Sequence, residues 1–255
     1  MGALHAGHLS LVRKVLYECD VCVTSVFVNP TQFDDPADLA AYPKSLPADL
    51  DLLDEAGCHL AFTPSVQEVY PPGMDVPVHD FGRLEHVFEG AIRPGHFRGM
   101  GQVVGRLLQI VEPEALCMGQ KDYQQYLIVK KLVNEILGLE TEVILCPIVR
   151  EADGLAMSSR NTRLSPAQRR DAVELGRVLF WIKELLGENE GRGLAELKAA
   201  AVERLIQVPS IIAVDYVEIA DAETLEPVTA FNRQSSIILG AIRMEGVRLI
   251  DNVMM

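Results

Sequence analysis

Amphipathic helical stretches alternate with short apolar runs through the first part of the chain, and this alternation restricts the fold more than any other feature. Residues 8–19 place their apolar side chains on one helical face, and the valine-rich run VCVTSVFV at residues 21–28 follows directly. A wholly apolar run of this length is typical of a strand that is buried on both faces of a parallel sheet. We therefore expect a helix at 8–19 and a strand at 21–28.

The same pattern recurs up to residue 148. It predicts helices at 47–56, 100–111 and 122–137, and strands at 59–62, 115–118 and 141–148. Strands that alternate with helices in this way indicate an α/β fold, in which crossover helices connect the strands of a parallel sheet.

The character of the sequence changes after Val149. A polar, turn-rich segment, READGLAMSSRNTRLSP, precedes two amphipathic helices expected at about 166–187 and 193–207. Strands are expected near 212–220, 235–243 and 247–251, with a tight hairpin at 244–246. We expect a parallel-sheet domain at 1–149 and a smaller α+β domain at 150–255.

The opening segment MGALHAGHLS places two histidines, His5 and His8, around Gly7 at the start of the first predicted helix. Amide N–H groups and the positive end of the dipole at a helix N-terminus attract anions. Imidazoles add hydrogen-bond donors that suit the charge developing on a phosphorus centre. The pattern indicates polyphosphate chemistry, although by itself it also fits a solvated turn or a metal site.

Polar clusters follow three of the predicted strands. They are 29–33 after the first apolar run, 119–125 after the strand at 115–118, and 157–161 beyond the strand at 141–148. Each one alone fits a turn, a solvated helix start or a helix cap. Because ligands bind at the carboxyl ends of parallel strands, the clusters and the histidine pair together predict one ligand site.

Composition excludes several classes of protein. An apolar fraction of 49% indicates a globular chain, and a net charge of −13 disfavours nucleic acid as a partner. The five cysteines are odd in number and lie mostly in apolar runs, so we expect free thiols and a cytoplasmic location. We expect no contact with a membrane, because no apolar run reaches the roughly 18 residues of a membrane span.

Six segments in order resemble the pantoate–β-alanine ligase (pantothenate synthetase) family, and the resemblance covers essentially the whole chain. They are MGALHAGHLSLVR, FVNPTQF, Tyr42-Pro43, EGAIRPGHFRG, GQKDYQQ and GLAMSSRNTRLS. The resemblance implies the nucleotidyltransferase superfamily with its His-x-Gly-His signature. It also implies a Rossmann-like domain that binds nucleotide and pantoate, a smaller C-terminal lid domain, and a homodimer formed through the N-terminal domains.

The resemblance further implies a two-step reaction. The carboxylate of (R)-pantoate attacks the α-phosphorus of ATP, giving pantoyl adenylate and pyrophosphate, and β-alanine then attacks the acyl carbon and releases AMP. A carboxylate is already a competent nucleophile, so the first step needs positioning and charge stabilisation rather than a base. Mg²⁺ is expected to bridge the ATP phosphates and to keep several waters.

The family's functional residues carry over onto matching positions of this chain. His5, His8 and Lys121 are implied to be catalytic, with His8 as proton donor, and Asp122 is implied to bind the ribose hydroxyls. Gln32 and Gln125 are implied to bind pantoate, Gln32 also facing β-alanine, with Asn29 and Phe33 completing the substrate pocket. The residues implied to enclose ATP are Met1, Gly2, Ala3, Leu4, His5, Ala6, Gly7, His8, Gly119, Gln120, Lys121, Asp122, Val149, Met157, Ser158, Ser159 and Arg160.

Three positions depart from the family pattern or fit it less specifically. Where relatives carry paired aspartates for the metal, this chain has Ala48-Asp49, so only Asp49 carries over as a candidate magnesium ligand. Glu89 and Arg93 match an acidic and a basic position of the family's flap, but an exposed salt bridge explains them equally well. The family's first strand has no counterpart before Met1, which means either that the start was assigned too late or that the chain lacks the strand. If Met1 is the first residue, we expect residues 1–7 to be mobile or displaced and the chain to be poorly active.

Two other functions fit part of this pattern. A nucleotidyltransferase acting on a phosphorylated substrate would use the same histidine chemistry, but it needs a basic pocket where this chain has Gln32, Phe33 and Gln125. A nucleotide-binding protein without activity would result if the loss of the first strand disabled the site. The neutral pocket favours the carboxylate–amine ligase.

Overall fold

A computed structural model of the chain describes residues 1–32, 45–188 and 193–255, apart from the side chain of Gln32. The expectations for that side chain and for Phe33 therefore lie outside the described residues. The chain divides into two compact units, Met1–Pro147 and Ile148–Met255. The division precedes the boundary expected at 149, so Val149 belongs to the second unit.

The first unit alternates helices with short strands. In chain order these elements are α1 (Ala6–Glu18), β1 (Val23–Ser25), α2 (Leu46–Glu55), β2 (Leu60–Phe62), α3 (Val66–Val69), α4 (Glu89–Ile92), α5 (His96–Val111), β3 (Ala115–Gly119), α6 (Tyr123–Lys131) and β4 (Glu142–Cys146). Short 3₁₀ helices lie at Pro30–Gln32, Gly82–Glu85 and Gln120–Asp122, and α6 continues as a π-helix over Leu132–Leu137.

The four strands within the described residues of this unit form two parallel pairs, which confirms the predicted α/β class. Strand β1 pairs with β2, with Val23 opposite Leu60, and β3 pairs with β4, with Ala115 opposite Glu142. Strand β1 is shorter than the apolar run at 21–28, because only three residues of that run pair with β2.

The first residues of the chain lie beside the end of β1. The Met1 nitrogen donates to the Ser25 carbonyl at 2.8 Å, and the Phe27 N–H donates to the Met1 carbonyl at 3.0 Å. The expectation that this segment is displaced is therefore wrong for its backbone. Leu4 is buried beside Val12 and Leu53, so the segment also contributes to the core of the unit.

A second apolar cluster lies beneath α5 and α6. It contains Phe81, Met100, Ile128 and Leu132, each nearly or fully buried. Helix α5 approaches Phe81 through Gly101, where a Cβ atom would come within 2.5 Å of the phenyl ring. The missing side chain is what allows this close contact.

The second unit is an α+β arrangement. Helices α7 (Pro166–Asp171), α8 (Val173–Gly187) and α9 (Leu194–Ile206) precede the antiparallel strands β5 (Ala213–Asp221), β6 (Ser236–Met244) and β7 (Val247–Met254). Gly246, with φ +74°, forms the tight hairpin between β6 and β7. Apolar side chains from α8 and α9 pack on the sheet. None of the helices in the described ranges of either unit could span a membrane.

Candidate active site

The two histidines of the first unit cap helix α1 together. His5 is the N-cap residue, with extended backbone, and its Nδ1 accepts from the Gly7 N–H at 3.1 Å. In return, the His5 N–H donates to Nδ1 of His8 at 3.3 Å, and the ring centroids lie 4.0 Å apart. Because both Nδ1 atoms accept hydrogen bonds, a neutral ring carries its proton on Nε2 in each case.

Burial keeps both imidazoles in their neutral form. It lowers the pKa of His8 to about 3, with a smaller contribution from the neighbouring His5. Burial also lowers the pKa of His5, and the positive charge of Lys121 acts in the same direction. At neutral pH the pair therefore offers two Nε2–H hydrogen-bond donors, a chemistry different from that of a charged proton donor.

A buried carboxylate holds the turn that precedes these histidines. Asp49, in the first turn of α2, accepts from the Ala3 N–H at 2.9 Å through Oδ2 and from the Leu4 N–H at 2.7 Å through Oδ1. The side chain of Asp49 is only 3% exposed. Ala3 has φ +49°, a left-handed conformation that is uncommon for alanine. The structure thus gives Asp49 a task other than the expected binding of magnesium.

The described residues do not form a protein-based magnesium site. Across 1–32, 45–188 and 193–255, no three His, Cys, Asp or Glu side chains are arranged to hold a metal ion. Asp49 is only 3% exposed and belongs to no such group, so the residue matched to the family's metal position does not fit that role.

The segment that joins β3 to α6 brings further polar groups to the histidines. The Lys121 Nζ lies 3.5 Å from Oδ1 of Asp122, and both charges influence the pKa values of His5 and His8. Asp122 is half exposed, as a residue that binds a ribose must be. Gln125 follows one turn later on α6 and is half-buried.

Asn29, which is matched to the family's substrate pocket, holds the loop after β1 through its own hydrogen bonds. Its side chain is 2% exposed, and its Nδ2 donates to the Gly99 carbonyl at 3.1 Å. Its Oδ1 accepts from the Thr31 N–H, the Thr31 hydroxyl and the Tyr70 hydroxyl. Asn29 therefore fastens the loop after β1, which carries Gln32, to α5. The contribution of Tyr70 has no signal in the sequence.

Gln124 fixes the segment that precedes α4. Its Nε2 donates to the Leu84 carbonyl at 2.6 Å and to the Val87 carbonyl at 2.8 Å, and its Oε1 accepts from the Glu89 N–H at 3.1 Å. Phe88, inside this clamp, has φ +43° and ψ −112°, a strained conformation for a bulky residue. Glu89 is buried, which rules out the interpretation of this residue as part of an exposed salt bridge.

The second unit brings together the remaining residues expected to bind ATP. The Met157 N–H donates to the Val149 carbonyl at 3.0 Å, and Ser158 caps the 3₁₀ helix Ser159–Arg163 by accepting from the Arg160 N–H. Asn161 donates to the Ala156 carbonyl, whereas its buried Oδ1 has no hydrogen-bond partner among the described residues. Such an oxygen can accept a hydrogen bond from a ligand or a water, and Asn161 lies in the polar cluster 157–161 that the sequence predicted as part of a ligand site.

The fold and the histidine pair define a class of protein. A parallel α/β unit that presents neutral imidazoles at a helix N-terminus, beside a lysine, is suited to nucleotidyl transfer. A sequence profile of the pantoate-beta-alanine ligase family matches residues 1–254. The chain belongs to this family.

Named relatives agree with this membership over nearly the whole chain. Pantothenate synthetase from Porphyromonas gingivalis strain ATCC 33277 is 44% identical over 255 residues, which are 99% of this chain and 88% of that protein. The enzyme from Herpetosiphon aurantiacus is 44% identical over 257 residues, covering 100% of this chain and 91% of its own.

Solved structures share the fold. Pantothenate synthetase from Thermus thermophilus superposes with a TM-score of 0.94 at 44% identity, covering 100% of this chain and 90% of that one. Pantoate-beta-alanine ligase from Francisella tularensis, complexed with beta-gamma ATP and beta-alanine, has a TM-score of 0.78 at 35% identity, covering 100% and 87%. These similarities confirm the family and the fold that the six sequence segments predicted.

Proposed function

We propose that this chain condenses (R)-pantoate with β-alanine to give pantothenate, with ATP consumed to AMP and pyrophosphate through a pantoyl adenylate. The observation that carries the proposal is the reciprocal cap formed by His5 and His8 at the N-terminus of α1. Two Nε2–H donors at the positive end of a helix are suited to phosphate oxygens.

The first step requires stabilisation of charge more than acid–base chemistry. As pantoate attacks, negative charge develops on the oxygens of the α-phosphorus and of the departing pyrophosphate. Neutral imidazole N–H groups and the Lys121 ammonium stabilise that charge by hydrogen bonding and attraction, without a proton leaving the protein. His5, His8 and Lys121 are therefore the catalytic residues of the proposal.

The remaining contacts follow from family membership and from the chemistry of each residue. We assign Gln125 and Gln32 to pantoate, because an amide can donate to a carboxylate and accept from hydroxyls without burying a charge. Phe33 supplies an apolar wall, and Asp122 accepts from the ribose. The ATP-binding set adds Met1–Gly7, Gly119, Gln120, Val149 and Met157–Arg160.

The proposal also covers the metal ion, the oligomeric state and the location of the enzyme. Magnesium accompanies the ATP phosphates, which is the way this ion is commonly bound, and no step is assigned to a protein-held metal. A homodimer formed through the N-terminal unit follows from the family resemblance, and a cytoplasmic location follows from the odd number of cysteines in apolar runs.

The test is AMP formation with the purified chain. We expect AMP only when ATP, pantoate and β-alanine are all present, and a stoichiometric release of pyrophosphate when β-alanine is omitted. Replacement of His8 by alanine should lower pyrophosphate release at least ~10²-fold, the loss typical of removing one electrostatic donor. His86→Ala, which removes an exposed histidine, is the matched control.

Two results would contradict the proposal. One is formation of AMP that does not depend on pantoate or on β-alanine. The other is near-normal pyrophosphate release by the His8→Ala variant, since this would remove the histidine pair from the reaction.

A further inference from the structure

We propose that Asp49 is a positioning residue, whose carboxylate fixes the Ala3 and Leu4 amides and thereby sets the orientation of the catalytic His5 and His8. The inference deepens the proposed function and rests on it. It assigns to Asp49 a role in the geometry of the phosphate site, in place of a direct contact with a metal ion.

The carboxylate of Asp49 bridges two successive backbone amides. Its two oxygens each accept one hydrogen bond from successive backbone amides, at 2.9 Å from Ala3 and 2.7 Å from Leu4. Bonds between N–H groups and an ionised carboxylate are stronger than neutral ones, and they are stronger still when buried. With its side chain 3% exposed, Asp49 is shielded from competing water.

The turn that the carboxylate holds is strained. Ala3 has φ +49°, a left-handed conformation that is unfavourable for a residue with a Cβ atom. Such a conformation persists only where the surroundings over-determine it. Here the determinants are the two bonds to Asp49 and the burial of Leu4 against Leu53, which lies on the same helix as Asp49.

The turn at Ala3 and Leu4 is linked to the imidazoles through the backbone of His5. The next amide after Leu4 belongs to His5, and it donates to Nδ1 of His8. Asp49 anchors the Leu4 nitrogen, and the planar peptide groups transmit its position to the His5 nitrogen. If the turn rotates, the His5 N–H no longer meets Nδ1 of His8, and the ring of His8 is free to adopt the other tautomer.

The surroundings of Asp49 do not suit a magnesium ion. Magnesium requires octahedral ligands at about 2.0–2.1 Å and keeps several waters. Asp49 is only 3% exposed, which leaves little access for those waters, and the side chain of Ala48 beside it offers no ligand atom. Among the described residues, no group of three metal-binding side chains includes Asp49.

The first experiment uses unmodified protein and observes the backbone amides by NMR. The Ala3 and Leu4 amide protons should lie downfield and exchange slowly with solvent, because a buried carboxylate accepts both. Addition of MgCl₂ alone should leave both resonances in place. Shifts of these amides on addition of MgCl₂, or amides that exchange as fast as exposed ones, would overturn the proposal.

The second experiment compares three variants after thermal melts show which of them are folded. Asp49→Asn replaces one acceptor by a donor that faces an N–H group, and Asp49→Glu keeps the charge but moves the oxygens. Asp51→Asn, at an exposed aspartate of the same helix, is the control. We expect kcat to fall ~10²-fold in both Asp49 variants, as small misplacements at a reacting centre commonly cost this much, and to stay unchanged in the control.

Two further readouts separate positioning from metal binding. Nitrogen-15 chemical shifts of the histidines should show a mixture of tautomers for His8 in Asp49→Asn, and pure Nε2–H in the wild type and the control. The MgCl₂ concentration that gives half-maximal rate should stay within about twofold of wild type. A tenfold rise in that concentration, or an unchanged His8 tautomer with full activity, would show that Asp49 does not position the site.

The experiments distinguish failure of the role inferred for Asp49 from failure of the proposed function. If the wild-type chain forms no AMP from pantoate, β-alanine and ATP, the proposed function is wrong. The amide exchange and the tautomer measurement remain decisive for the role of Asp49, because neither needs turnover.

Discussion

The hydrogen bonds of His5 and His8 at the start of α1 determine which tautomer each neutral ring adopts. Each Nδ1 accepts a backbone N–H from the pair's own turn, so each neutral ring carries its hydrogen on Nε2. The same hydrogen bonds that start the helix therefore set the tautomers of the pair. His5 and His8 thus cap α1, and their Nε2–H groups are proposed to bind phosphate.

The lowered pKa of His8 predicts a particular dependence of stability on pH. Its folded pKa of about 3 lies below the unfolded value near 6.5, so the unfolded chain binds more protons between these pH values. The stabilisation from neutral His8 is complete above about pH 6.5 and is lost progressively as the pH falls toward 3.

Urea unfolding at about pH 7.5 and about pH 5 checks this, with wild type compared to His8→Gln. We expect wild type to lose ~2 kcal/mol more than the variant on going to the lower pH. Equal losses in the two proteins would show that His8 is not buried in its neutral form.

The residue types that meet at the proposed site were easier to predict from the sequence than the hydrogen-bond partners of each residue. The histidine motif and the lysine after β3 are local patterns, and the structure brings them together as the sheet topology requires. The tasks of Asn29 and Asp49 depend on Tyr70 and on the Ala3 turn, which lie 41 and 46 residues away along the chain. Periodicity and motif spacing carry no information about such pairs.

At the scale of the elements, helix α6 presents two adjacent glutamines with different tasks. Gln124 is buried and makes three hydrogen bonds to the segment before α4, whereas Gln125 is half-buried and is proposed to contact pantoate. The angle between successive helical residues directs one side chain into the protein and leaves the other beside the site.

Alanine substitutions should separate these tasks. Gln124→Ala should lower the free energy of unfolding by ~2–3 kcal/mol and increase hydrogen exchange at residues 84–92, because buried carbonyls lose their donors. Gln125→Ala should leave stability within ~0.5 kcal/mol of wild type and raise the KM for pantoate ~10-fold or more. The assignment fails if the two variants exchange these effects.

The close contact of α5 with Phe81 gives a second matched pair of variants. Gly101→Ala places a Cβ within 2.5 Å of the buried ring and should destabilise the protein by ~1–3 kcal/mol. Gly105→Ala, on the same helix, meets nothing closer than 3.9 Å and should be neutral or stabilise by up to ~1 kcal/mol, since alanine favours the helix. Thermal melts of both variants measure the difference.

Most helices and strands were predictable from periodicity, and the errors have identifiable causes. The long helix expected at 166–187 is two helices that meet at Ala172, because periodicity cannot detect a break without Gly or Pro. Helices α3 and α4 contain four residues each, too few to show a period. Prediction succeeded where a full amphipathic face was present, as in α1, α5 and α9.

At the scale of whole units, the second unit is closed by an ion pair between its two ends. Arg150 donates to both carboxylate oxygens of Asp251, at 2.7 and 2.9 Å, across a sequence separation of 101 residues. Its guanidinium also lies 5.0 Å from the ring centre of Phe180. Asp251 is nearly fully buried, so this pair is shielded from water.

Burial decides how much each ion pair of this unit contributes. Asp251→Asn should cost ~3 kcal/mol, because it leaves the Arg150 charge poorly compensated in a buried place. Asp153→Asn removes the similar but exposed pair with Arg169, in which Asp153 is 44% exposed, and should cost at most ~1 kcal/mol. Denaturant unfolding of the two variants tests this ranking, and equal costs would contradict it.

The bond between Asp49 and the turn at Ala3 also bears on the order in which the protein folds. The Met-Gly-Ala-Leu-His motif reads as a local signal, yet two of its amides find their partner only after a loop of about 45 residues has closed. Loop closure must be completed before such contacts contribute, so we expect them to form late. On this expectation the proposed phosphate site is completed only when α2 docks, and a partly folded chain with an intact α1 would lack the two bonds from Asp49.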